Sequence, residues 1–307
     1  DVTGVKILTL AGTRSVTPVY TAALATSAWS SITDFRINSD AKLSRFTGTG
    51  ASGDPYMISD VYGLQAMGGY LAAGTYFELA NDIAATSTSG WNAGAGFDPI
   101  GDATTKFAGN FDGNSKTISN LKISRGGEDN VGLFGYTNNA SIQDVVLSSA
   151  GVTGGSNVGA FVGTQEGGTM NRVKLATGTA DSEILGTQKV GGLVGVNSGT
   201  IQKSSMTGSS WVWAENVLGQ VGAGGLVGDN SGAIENSYNA SSYGAYANKG
   251  RTGGLVGSNS GTILNSYNTG EVMGDMGWPV TGDYIGGLVG ENTAGSITNS
   301  FSTGHVY

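Results

Sequence analysis

The sequence predicts an all-β chain folded as a single-stranded parallel β-helix, a β-solenoid of right-handed triangular coils with three short strands each. Three observations point there. Glycine accounts for 54 of 307 residues, far above the roughly 7% of ordinary proteins. A five-residue motif, Gly-Gly-Leu-Val-Gly, recurs at 191–195, 224–228, 253–257 and 286–290. Between copies lie about three short apolar segments separated by Gly, Asn, Ser and Thr turns.

The bulk composition removes the competing classes. Each interior Gly costs roughly 1 kcal/mol in a helix relative to Ala, so a helical bundle is excluded. Collagen needs Gly at every third position and much Pro, whereas this chain has 4 Pro and no such period. Apolar residues at 38% and a net charge of −8 supply a core and argue against disorder. With no Cys there are no disulfides and no thiolate chemistry. A pI near 4.6 speaks against a nucleic-acid partner. No window approaches the ~20 apolar residues of a membrane-spanning helix. The first residue is Asp1, which fits a leader already removed or an excised piece equally well.

In chain order, residues 1–45 carry short strand-like segments at 5–10, 16–20 and 32–37 and none of the repeat. They are expected to cap the first coil or to exchange strands between subunits, because an open solenoid end is an exposed edge. Residues 46–130 are expected to form the first coils, and 131–307 the repeat coils. The repeat's first apolar position falls at Leu133, Phe161, Leu193, Leu226, Leu255 and Leu288, with spacings of 28, 32, 33, 29 and 33. A second follows 8 or 9 residues later, at Ile142, Met170, Ile201, Ile234, Ile263 and Ile297. The clearest copies then read Asn236-Ser237-Tyr238, Asn265-Ser266-Tyr267 and Asn299-Ser300-Phe301.

Stacked coils repeat at the strand spacing of roughly 4.8 Å, so about ten coils span about 50 Å. Leu and Ile are expected to point inward, and Asn to stack amide on amide between coils. Gly is expected to supply positive-φ corners and close approach. The stretches 211–220, 240–251 and 273–284 vary in length and read as loops leaving one corner.

The pattern GGLVG-x-N-x-G-x-I-x-N-S-Y-x-T-G-x-V resembles the GLUG repeat of bacterial surface and adhesin-type proteins. Residues 191–307 match it well and 131–190 loosely. The run from Phe46 through Asp54-Pro55-Tyr56-Met57-Ile58-Ser59, 77–83 and 107–121 is similar to the segment that precedes such repeats. The resemblance implies an extracellular, cell-surface β-solenoid and brings no shared catalytic residues with it.

Chemistry is sparse. The only His, His305, sits in a repeat position with no nucleophile pattern around it, so no catalytic residue is assigned. No metal site and no cofactor are assigned either, for want of ligand spacing. Candidate acids for a β-helix polysaccharide lyase or glycosidase are Asp54, Asp60, Asp82, Asp98, Asp102 and Asp112, the last in an Asp-Gly turn pair. Aromatics offer more. Trp211 and Trp213 share one face of an extended segment. With Tyr243, Tyr246 and Trp278 in the corresponding loops, they form a candidate stripe for stacking on sugar rings. Residues 1–50 carry a net +2 and residues 204–307 a net −5, so copies of the chain can be expected to associate head to tail. The expected function is therefore a non-enzymatic adhesin stalk or extracellular-fibre subunit. Its expected partners are further copies, the rest of a longer surface protein, or a surface polysaccharide, with no nucleic acid and no membrane span. A carbohydrate-binding module is the alternative.

Overall fold

The structure is a computed structural model. It describes every residue except 1–5, 12–18, 22–28, 30, 38–40, 179, 181, 216–221, 248–249 and 275–283. All of the strand-to-strand pairings in its sheets are parallel, and successive coils stack in register.

One complete coil illustrates the path. It runs through Gln188–Gly191, Val194–Asn197, Thr200–Gln202, Ser205–Gly208 and Trp211–Ala214 before the next coil opens at Gly222–Gly224. Each coil therefore holds five short segments, not three, and these build four sheet walls. The extra segments arise because corner residues interrupt what reads as a single strand. Lys203 at φ 52° splits one wall into two arms, as do Asn236, Asn265 and Asn299 in later coils. Along the wall that carries Ile201, nine strands from Tyr56–Ile58 to Ser296–Thr298 lie in line, giving eight coil-to-coil steps. At ~4.8 Å per step the rod is about 38 Å long, shorter than the ten-coil expectation.

The inward columns follow the repeat. Phe77, Phe111, Ile142, Met170, Ile201, Ile234, Ile263 and Ile297 are successive register partners. Leu133, Phe161, Leu193, Leu226 and Leu255 are fully buried, and their backbones bond across coils, as in Leu226 N–H to Leu255 O at 2.9 Å. In the last coil the same positions open to solvent: Leu288 is half-buried and Ile297 is 39% exposed, because no described coil lies above them.

Of the two roles expected of glycine, the motif glycines serve close approach and not positive-φ corners. None of the glycines in the four GGLVG copies has a positive φ; the left-handed corners fall on Asn236, Asn265, Asn299 and a separate set of glycines. What excludes a side chain is proximity. A Cβ on Gly192, Gly225 or Gly254 would sit under 3.0 Å from the carbonyl of the glycine one coil on. The same Cβ would strike the inward side chain of Met206, Asn239 or Asn268 respectively. Gly at these positions lets two walls approach across a narrow core.

Polar ladders reinforce the backbone. Asn197, Asn230, Asn259 and Asn292 form one amide chain, each Nδ2 donating to the next Oδ1 at 2.7, 2.7 and 2.8 Å. A serine column runs beside it: the backbone N–H of Ser204, Ser237 and Ser266 donates to the hydroxyl of the serine one coil on, at 3.1–3.2 Å. Each of those hydroxyls donates in turn to the carbonyl two residues before its own, as Ser237 does to Glu235 at 2.8 Å. The Asn-Ser dipeptide thus combines a residue tolerant of left-handed φ with a hydroxyl that satisfies a buried corner.

The described part of residues 1–45 packs on the first coils. Ile7–Leu10 pairs with Asp34–Ile37, and Val19–Thr21 with Lys42–Ser44. Buried Phe35 meets Tyr62 at 5.2 Å and Trp91 at 5.1 Å between ring centres. Arg45, fully buried, lies 4.1 Å over the Trp29 ring, and its Nε bonds both oxygens of Asp60 at 3.0 and 3.1 Å.

Candidate functional site

Five of the six acids named from the sequence hold hydrogen bonds or ion pairs with neighbouring segments, while Asp54 is exposed. Asp60 accepts the Gly63 N–H at 2.8 Å at the start of the short helix Val61–Ala66 and binds Arg45. Asp82 accepts the Thr117 N–H, and Asp102 those of Thr104 and Thr105. Asp98 pairs with Arg125 at 3.1 Å. Asp112 accepts the Asn114 N–H at 2.7 Å and the Gln143 amide at 2.6 Å. No hydrogen bond or ion pair links any two of these acids directly. The carboxylates behind the motif, Asp229 and Glu291, each pair with a cation from a neighbouring coil, Lys189 and Arg251. His305 is exposed and lies 6.0 Å from the Tyr307 ring.

The outward aromatics are brought together, Trp211, Trp213 and Tyr246 on strands and Tyr243 in the bend just before one. Trp211 and Trp213 lie on Trp211–Ala214, whose alternation places Val212 and Ala214 inside. Tyr246 lies on Gly244–Ala247, in register one coil on, with Tyr243 immediately before it. Two-residue periodicity on a solenoid wall, read as a loop from sequence, is the reason for the difference. Trp211 stacks on Tyr243 at 4.3 Å and 16°, and Trp213 meets Tyr246 edge-on at 4.7 Å. Trp213 and Tyr243 remain 39% and 37% exposed. Trp278 lies outside the described residues.

A second aromatic column was signalled by the Asn-Ser-Tyr motif but not picked out as a surface. Tyr238 stacks on Tyr267 at 4.9 Å and 2°, and Tyr267 on Phe301 at 5.4 Å and 8°. These rings occupy each other's faces at the coil spacing, which leaves no slot for a sugar ring between them. Their geometry is that of a stabilising ladder. The Trp211–Tyr243 and Trp213–Tyr246 pairs form a partly exposed aromatic surface on neighbouring coils.

Among the described residues no helix is long and apolar enough to cross a membrane.

Comparison with known proteins agrees with this geometry. Residues 281–307 match the family model described as "Glug: The GLUG motif". Halomucin of Haloquadratum walsbyi is 35% identical over 176 residues, a match spanning 54% of this chain and 2% of halomucin. A "Putative Gly-rich membrane protein" of Evansella cellulosilytica is 31% identical over 181 residues, spanning 49% of this chain and 21% of that protein. The chain thus spans only a small part of the length of these relatives. Among solved structures, a "putative immunoglobulin A1 protease" from Bacteroides ovatus superposes with a TM-score of 0.64. It covers 85% of this chain and 79% of its own, and at 20% identity the likeness is one of fold. The chain is a parallel β-solenoid that carries the GLUG motif.

Proposed function

We propose that the chain is a non-enzymatic structural section of an extracellular, cell-surface protein, a stiff repeat rod that serves as an adhesin stalk or fibre element. The observation that carries this reading is the continuity of the ladders. Backbone bonds, the four-residue asparagine chain and the serine column all run from coil to coil, so stiffness is distributed along the rod. The small fraction of the relatives that the chain spans supports a modular role within a much longer protein. A rod of about 38 Å gains reach only by continuing in the same chain or by stacking on a second copy. Ile297 and Phe301, exposed in the outermost described coil, sit where a further coil would extend both of their columns.

Electron microscopy of the source cells, with immunogold against this chain, tests the proposal. Label on surface filaments or stalks is expected. Label confined to the cytoplasm would contradict it.

One observation favours a second reading, that of a carbohydrate-binding surface. Trp213 and Tyr243 stay more than a third exposed although each already contacts another ring, and exposed rings of this kind stack on sugars. Polysaccharide pull-down with Trp213→Ala tests it: undiminished retention would remove this surface as the platform.

A further inference from the structure

A cleft lies away from the aromatic pairs, at the end where the first coils meet the strand Lys42–Ser44. It encloses about 860 Å³ and is lined by Lys42, Lys106, Tyr56, Tyr70, Thr49 and Thr75 among others, with no Asp or Glu among its described lining residues. The adjoining cleft, of about 460 Å³, is its opposite: Asp98, Asp102, Glu128 and Asp129 all line it. Ala41, Gly68, Gly69, Leu71 and Thr105 line both clefts.

The first cleft is preformed. Backbone bonds tie its walls together, Tyr76 N–H to Gly50 O at 2.9 Å, Ala108 N–H to Leu71 O at 2.9 Å and Asn110 N–H to Thr75 O at 2.8 Å. Lys42 Nζ lies 5.5 Å from the Tyr70 ring centre and has no carboxylate within ion-pair distance among the described residues. Lys106 lies 4.5 Å over the Tyr136 ring and is paired with Glu166. Among the described residues the cleft therefore offers one ammonium without a carboxylate partner, aromatic rings and scattered hydroxyls.

We propose that this cleft binds a carboxylated sugar unit of an acidic glycan, with Lys42 meeting the carboxylate, Tyr70 and Tyr56 packing on the sugar's C–H face, and the threonine hydroxyls meeting its hydroxyls. A phosphate would be served better by a close cradle of N–H donors or a guanidinium fork. A cleft of this size and mixed lining suits a polyol ring carrying one charge. Asp102 and Asp129, which line the adjoining cleft, disfavour an anion that drifts past Thr105, which sets where the charge is seated.

The site stands apart from the rod reading and can fail without it. The test is calorimetric titration of the whole chain with tri-galacturonate, glucuronate and N-acetylneuraminate, and with the methyl esters of each. At least one acid is expected to bind, with its ester weaker by about tenfold or more. Lys42→Met should weaken that acid about tenfold while leaving the ester unchanged, and Lys42→Arg should retain binding within about threefold. Asp129→Asn, in the neighbouring cleft, should not weaken it. Circular dichroism melts of the variants check that the fold is kept. No binding by any acid up to about 10 mM, equal affinity for acid and ester, or full affinity in folded Lys42→Met would each overturn the proposal.

Discussion

Truncating one asparagine in the middle of the amide ladder should cost far more than truncating the same residue type in its last coil. Asn230 is fully buried. Its Nδ2 donates to Asn259 Oδ1 at 2.7 Å and to Gly232 O at 3.3 Å, and its Oδ1 accepts from Asn197 at 2.7 Å. Asn230→Ala leaves the amide of Asn197 short of an acceptor and that of Asn259 short of a donor, both fully buried. An unsatisfied buried polar group costs about 1–3 kcal/mol, so two cost about 2–6 kcal/mol. Asn292 accepts from Asn259 at 2.8 Å but is itself exposed. Water takes its place after truncation, and Asn292→Ala should cost about 0.5–1 kcal/mol. Urea unfolding of both variants measures the difference. Hydrogen exchange at Gly199 and Gly261 shows whether the loss is local, since repeat stacks open in parts. Equal costs for the two variants, within about 0.5 kcal/mol, would refute the claim that the ladder acts through burial.

Three further outcomes follow from the packing. Gly225→Ala should lose about 3 kcal/mol in thermal or urea melts, because its Cβ has no room beside Gly254 and Asn239, whereas Gly126→Ala, which faces open space, should stay within about 0.5 kcal/mol. Arg45→Lys should lower stability by about 3 kcal/mol, since an ammonium cannot replace a buried guanidinium that binds both Asp60 oxygens and stacks on Trp29; proteolysis should then begin within residues 1–60. The Lys106–Glu166 pair should be felt only between its two titrations. Their mutual hydrogen bond lowers Glu166 below 4.5 and raises Lys106 above 10.5, so the contribution is complete between those values, fading as pH falls through Glu166's folded value or rises through that of Lys106. Melts of Glu166→Gln across pH should converge with the parent chain at both extremes; a constant offset would count against the assignment.

Much of the solenoid was legible because each coil is a copy. The spacing of Leu193, Leu226 and Leu255 sets the coil length, and the recurring Asn and Ser positions announce the ladders. The role of the glycines was harder to read, because a glycine that avoids a clash and one that permits a left-handed turn look alike in sequence; the turns fell to Asn236, Asn265 and Asn299 instead. The five-segment coil was hidden for a related reason: a single corner residue such as Lys203 bends a wall without any break in apolar pattern. Trp211-Val212-Trp213 was read correctly as a shared face and wrongly as a loop. The cleft between Lys42 and Lys106 had no signal at all, since it is assembled from segments far apart in the chain and outside the repeat.

The rod itself is tested most directly by stretching the chain end to end in optical tweezers. Each coil of roughly 30 residues releases about 100 Å of contour when it detaches from its neighbour. The ladders predict high resistance followed by extension in steps that are multiples of this length. Smooth lengthening at low force, with no steps, would contradict the account.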